Sequence, residues 1–133
     1  MVLALLLSLL LTNDIKADVK PDVNLTDYEQ QLLDCCNLER GAANLPPLRI
    51  DAGLQDFARK HCSWMAQNGQ LQHANANVAE NIARGQRTPK EVVRDWMGSP
   101  GHRANILNPQ HHWLGTAGYV SGNGTVYWIQ DFR

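Results

Sequence analysis

Residues 113–132, WLGTAGYVSGNGTVYWIQDF, decide the fold class. Trp113 to Val120 and residues 125–132 are two strand-like runs on either side of Ser121-Gly122-Asn123-Gly124. Short runs rich in aromatic and β-branched residues around a glycine-bearing turn read as a β-hairpin. On the second strand Val126, Trp128, Gln130 and Phe132 share one face by alternation.

Upstream of the hairpin the chain reads mainly as helix. Thr26-Asp27-Tyr28-Glu29 is a capping box, a Thr cap with Glu three residues later. It opens a helix whose apolar positions are Tyr28, Leu32, Cys35, Cys36 and Leu38. Asn44-Leu45-Pro46-Pro47 ends it, because residues before proline avoid the helical region. Leu48-Arg49-Ile50 is a short extended piece. Asp51 then caps a second helix, with Leu54, Phe57, Ala58, Met65 and either His61 or Cys62 on its buried side, and Gly69 stops it.

Thr88-Pro89 supplies a cap and a proline at the first helical position. The helix Pro89–Met97 buries Val92, Val93, Trp96 and Met97. Ser99-Pro100 repeats the device and starts a short helix through Leu107, which Asn108-Pro109 breaks. Helices followed by a hairpin, with a further strand over residues 80–83, make an α+β domain. Its core is expected to rest on Leu32, Phe57, Met65, Val93, Trp96 and Trp128.

The chain has 133 residues, enough for one domain with a real core. Residues 2–11 are an almost unbroken apolar run, too short to span a bilayer, which takes about 20 apolar residues. Residues 1–17 read as a signal peptide cut near Ala17, although the positive charge expected beside Met1 is missing. Residues 18–25 read as a polar linker and 26–133 as the mature domain, secreted and without a transmembrane anchor. The formal net charge is −1, from twelve basic and thirteen acidic residues in no long run. That excludes the concentrated basic face that nucleic-acid binding needs. The domain is expected to be a monomer.

Cys35, Cys36 and Cys62 include no CxxC pair, so a structural zinc knuckle is not expected. Two readings stay open: Cys62 pairs with Cys35 or Cys36, or all three are small buried apolar side chains. Asn24 and Asn123 fit the N-glycosylation acceptor pattern.

The histidines are His61, His73, His102, His111 and His112. Neither HExxH nor GxSxG occurs, so acid–base or metal chemistry has to be assembled from distant segments. In HANANVAENIARG, residues 73–85, His73 and Glu80 stand among small, turn-favouring residues that no helical spacing brings together. Taken singly, His73 and His102 are ordinary loop and helix-start histidines.

The order of local motifs resembles the CAP superfamily: cysteine-rich secretory proteins, antigen 5 and plant pathogenesis-related 1 proteins. The matching pieces are Asn37-Leu38-Glu39-Arg40 with Leu45-Pro46-Pro47-Leu48, then His73, Glu80-Asn81-Ile82, Trp96, Gly101-His102-Arg103-Ala104-Asn105-Ile106-Leu107 and Tyr127-Trp128-Ile129-Gln130-Asp131-Phe132. They cover residues 28–133 in order, and are most similar to the short single-domain branch.

The resemblance implies a three-layer α-β-α sandwich with a central antiparallel sheet. It also implies a cleft of two histidines and two acids, matched here by His73, His102 and Glu80. The second acid should follow Trp96-Met97-Gly98, and that place is Ser99. Glu91 belongs to another part of the pattern and reads as an exposed partner of Arg87. His111 stands where the family often has an aromatic, and should pack or line the cleft rim.

Two functions follow from the resemblance. One is a secreted binding module for a lipid, sterol or peptide, whose cleft of His73, Glu80, Ser99 and His102 holds zinc weakly through His73 and His102. The other is a zinc-dependent protease or esterase with Glu80 as base and both histidines as metal ligands.

Overall fold

The computed structural model describes residues 23–133. The expected signal peptide, residues 1–17, and residues 18–22 of the linker lie outside the described residues. The elements run α1 (Asp27–Ala42), β1 (Arg49–Ile50), α2 (Ala52–Asn68), β2 (Ala79–Arg84), α3 (Pro89–Met97), α4 (Pro100–Ile106), β3 (Trp113–Val120) and β4 (Val126–Phe132).

Helix starts follow the chemistry of their caps. Thr26 and Glu29 form the full capping box of α1, while Asp51 accepts from Leu54 N at 2.9 Å and Thr88 from Glu91 N at 3.1 Å. Gly69 closes α2 in the left-handed conformation, at φ 62°. Ser99 departs from the expected device, because its hydroxyl makes no cap bond to α4.

The strands pair in the order β1-β3-β4-β2. β4 is antiparallel to both neighbours, and Trp113 to Val120 turns back on it through the expected hairpin. The short β1 is the exception to an all-antiparallel sheet, since it pairs parallel with β3. The chain between β1 and β3, which contains α2, β2, α3 and α4, provides the crossover that parallel pairing needs.

Alternation along the strands divides the core into two layers. On one face Leu114, Val126, Trp128 and Phe132 pack under α1, α3 and α4, against Leu32, Cys36, Val92, Val93, Trp96 and Ile106. On the other face Ile82, Ala117, Tyr127 and Ile129 pack under α2, against Ala58, Cys62 and Met65. Both buried indoles satisfy their N–H groups, Trp96 donating to Ile82 O and Trp128 to Gln86 O. The result is the three-layer α-β-α sandwich expected.

Three details differ from the sequence reading. Phe57 is only half-buried, and Gln55 is buried beside it instead, exchanging hydrogen bonds with the Thr116 backbone of β3. Leu38 is 75% exposed rather than part of the apolar face of α1. No disulfide joins the cysteines, which are all free. Cys36 and Cys62 are buried on opposite faces of the sheet, so pairing between them is sterically closed. Among the described residues no helix is long and apolar enough to cross a membrane.

Candidate functional site

The N-terminal end of the edge strand β2 gathers the chemistry-bearing residues. Glu80 is the second residue of that strand, with its side chain 4% exposed, whereas the His73 side chain in the preceding loop is 61% exposed. Glu80 Oε1 lies 2.8 Å from His73 Nδ1 and accepts from Ala74 N at 2.9 Å. A carboxylate only accepts, so Nδ1 carries the hydrogen, and whenever the ring is neutral the lone pair of His73 is on Nε2. The small residues between 73 and 80 let the loop fold back far enough for this contact.

His102 enters from the first turn of α4. The amide of Asn81 on β2 donates to His102 O at 3.1 Å and to Gln130 Oε1 at 3.3 Å. Asn105 completes the fastening, donating to Asn81 Oδ1 at 2.9 Å and to Glu80 O at 3.4 Å. Burial, and then the charge of His73, hold the His102 imidazole below its ordinary pKa.

Ser99 is half-buried one turn before His102, where no acid is available. Glu91 is occupied elsewhere. It accepts from the backbone N of Arg87 at 3.0 Å, while its own backbone N donates to the Thr88 hydroxyl at 3.1 Å. His111 stacks on Phe132 with ring centroids 5.4 Å apart, as an aromatic would. Burial, followed by the charges of Arg40 and His112, pushes its pKa down.

One acid escaped the sequence reading. Asp131 of β4 is paired in register with Glu80 of β2 and is fully buried. Asp131 stood inside the Tyr127–Phe132 motif, but only the register of two strands 49 residues apart by Asn81 and Gln130 brings it beneath Glu80. Asn81, Asn105 and Gln130, which fix α4 to the sheet, were missed for the same reason.

Among the described residues no three His, Cys, Asp or Glu side chains are arranged to hold a metal ion. The donor set at the cleft is two imidazoles, short of the three or four protein ligands usual for zinc. A groove lies elsewhere. It occupies about 580 Å³ between α1 and α3, beside Cys35, Leu38 and Val93, with Lys90, Glu91 and Arg94 at its rim.

The sequence pattern of the CAP cysteine-rich secretory protein family matches residues 33–132. The chain belongs to the CAP family. This CAP domain is 36% identical over 126 residues to the uncharacterized protein YkwD of Bacillus subtilis, covering 82% of the chain and 48% of that relative. It thus spans about half the length of that relative. An extracellular protein of Bacillus anthracis containing an SCP domain superposes with a TM-score of 0.70 at 26% identity, over 83% of this chain and 44% of that one. An outer surface protein of Borrelia burgdorferi has the same fold, with a TM-score of 0.71 at 19% identity, over 80% and 94% of the two chains. These two structural neighbours are described as an extracellular and an outer surface protein.

Proposed function

We propose that this CAP domain is a secreted binding module whose cleft, formed by His73, Glu80, Ser99 and His102, holds a divalent metal such as zinc weakly through the two imidazoles. The observation that carries this reading is the bond from His73 Nδ1 to Glu80 Oε1 at 2.8 Å. Metal-binding imidazoles characteristically donate their second nitrogen to a carboxylate, which fixes the tautomer and aims the other lone pair. In a neutral ring that leaves the lone pair on Nε2 of a largely exposed imidazole. Two ligands without a third make an open, low-affinity site suited to modulating a ligand rather than anchoring structure. The ligand class remains extracellular lipid, sterol or peptide. The exposed Leu38 beside the α1–α3 groove supports an apolar component.

A zinc-dependent hydrolase is less well supported. Glu80 would have to serve as base for a metal-activated water, yet Oε1 already accepts from two donors and Oε2 is buried. A general base needs an oxygen within reach of the water it activates.

Calorimetric titration of zinc into untagged protein tests the metal reading. Wild type should bind zinc weakly, His102→Ala should lose binding while remaining folded, and Ser99→Glu should tighten it by adding a charge. If neither wild type nor Ser99→Glu takes up zinc, the cleft is not a metal site.

A further inference from the structure

Two acids meet beneath His73. Glu80 and Asp131 are directly opposed across the β2–β4 ladder, so their side chains leave the same face of the sheet. Asp131 has no exposed surface, and neither of its carboxyl oxygens has a hydrogen-bond partner. Glu80 Oε2 is likewise buried and without a partner. Three orphaned acceptors in one buried place are costly if both acids are ionised, through mutual repulsion as well as lost solvation. One proton shared between them removes both costs, because a protonated carboxyl becomes a donor.

The neighbours decide which acid keeps the proton. Glu80 Oε1 already acts as an acceptor, from His73 and from the backbone N–H of Ala74. Asp131 receives no donor at all. On its other side in the sheet it faces Gly115 of β3, which contributes no polar side chain. The titratable groups facing it are Glu80 from β2 and Cys62 from α2, with His73 beyond Glu80.

We propose that Asp131 is a positioning residue of the cleft: as a neutral carboxylic acid it donates its O–H to Glu80 Oε2, and so locks the carboxylate whose other oxygen orients His73. Burial, then the hydrogen bond and charge of Glu80, push the Asp131 carboxyl up to about 9, which accords with that geometry. The acid missing at Ser99 is thereby replaced from a different element. Asp131 acts from below, through Glu80, rather than by touching a ligand.

The functional value of this arrangement rests on the cleft being the binding site, but the hydrogen bond itself is read in protein without zinc. Absence of zinc uptake would leave it standing. The experiment combines the carboxyl-carbon spectrum of wild type with nitrogen-15 spectra of the histidine rings in wild type, Asp131→Asn and Asp131→Leu, all metal-free at pH 7. The Asp131 carboxyl carbon should resonate as a protonated acid, and His73 should be one tautomer with hydrogen on Nδ1. Asp131→Asn retains a donor, its amide, and should preserve that tautomer. Asp131→Leu keeps the branched heavy-atom skeleton but has no donor, and should lose the single-tautomer signature. An ionised Asp131 in wild type overturns the proposal, as does wild-type His73 behaviour in a folded Asp131→Leu. Should Asp131→Leu not fold, the carboxyl carbon and Asp131→Asn still decide, and a mixed His73 tautomer in Asp131→Asn counts against it.

Discussion

Arg40 is a buried charge that ties distant segments of the fold together. It is 1% exposed, and carbonyl oxygens meet its guanidinium: Pro46 at 2.9 Å, Ile106 at 2.8 Å, Asn108 at 2.9 Å and His111 at 3.3 Å. Those oxygens belong to the loop before β1 and to the segment joining α4 to β3. One side chain therefore ties the end of α1 to two loops. Asn37, one turn earlier, adds a two-way bond to the Leu48 backbone, at 2.8 and 3.0 Å. The Asn37–Arg40 pair was legible in the sequence as a family motif. Its task was not, because its partners lie up to 71 positions away. An ammonium has three donors on a single nitrogen, against five that the guanidinium spreads over three, so it cannot reach all four carbonyls. Arg40→Lys should therefore cost about 2–4 kcal/mol, since hydrogen bonds to charged groups are worth about 1.5–3 kcal/mol each and some carbonyls stay unpaired. Urea unfolding measures this directly. A loss below about 0.5 kcal/mol, within the range of ordinary surface substitutions, would show that the network adds little.

At the scale of elements, sequence chemistry placed helices and hairpin because caps and turns are local. Thr88 and Pro89 begin α3 where expected, and α3 is only nine residues long. So short a helix depends on its cap, and Thr88→Ala should cost about 1 kcal/mol. Thermal unfolding with no change in Tm would contradict it. How α2 meets the sheet was not local and so was not legible. A Cβ on Gly115 would fall 2.2 Å from Leu54 O and 2.4 Å from Leu54 C. The first turn of α2 thus rests on bare β3 backbone, and Gln55 fixes the contact by bonding Thr116 N and O. The colliding atoms are backbone and cannot rotate away. Gly115→Ala should cost at least the about 1–3 kcal/mol typical of overpacking, and should loosen α2 rather than the hairpin. Hydrogen exchange resolved by residue distinguishes these. Unchanged protection along α2 would mean that the close approach is unimportant.

At the scale of the whole molecule, the sheet separates two cores, and this explains what the sequence could and could not disclose. Alternation on β4 put Trp128 and Phe132 on one face without further information. It could not say that Cys36 and Cys62 would be sealed on opposite faces, each thiol pushed by burial up to about 12. Nor could it reveal strand register, which alone brings Asp131 to Glu80. The same burial sets the pH dependence of stability. Burial alone would raise Glu29, but its bonds from Arg59 and Thr26 outweigh that and hold it below the ordinary 4.5. The unfolded chain then binds a proton more readily than the folded one, so stability is lost as pH falls from about 4.5 through the folded value. His102, lowered by burial and His73, adds loss in the same direction below 6.5. Asp131 acts oppositely. Its folded value of about 9 lies above the ordinary 3.8, so the folded protein holds a proton that the unfolded chain has released. Stability from this group is complete below about 3.8 and declines continuously as pH rises towards 9. Asp131→Asn has nothing to titrate and should lack that decline, while keeping the acid limb set by Glu29 and His102. Subtracting the two stability curves between pH 5 and 9 cancels the groups that do not touch Asp131, leaving the slope of Asp131 and of the groups coupled to it. A flat difference across that range would mean that Asp131 is ionised in the folded protein at neutral pH, and that the paired acids are solvated in some other way.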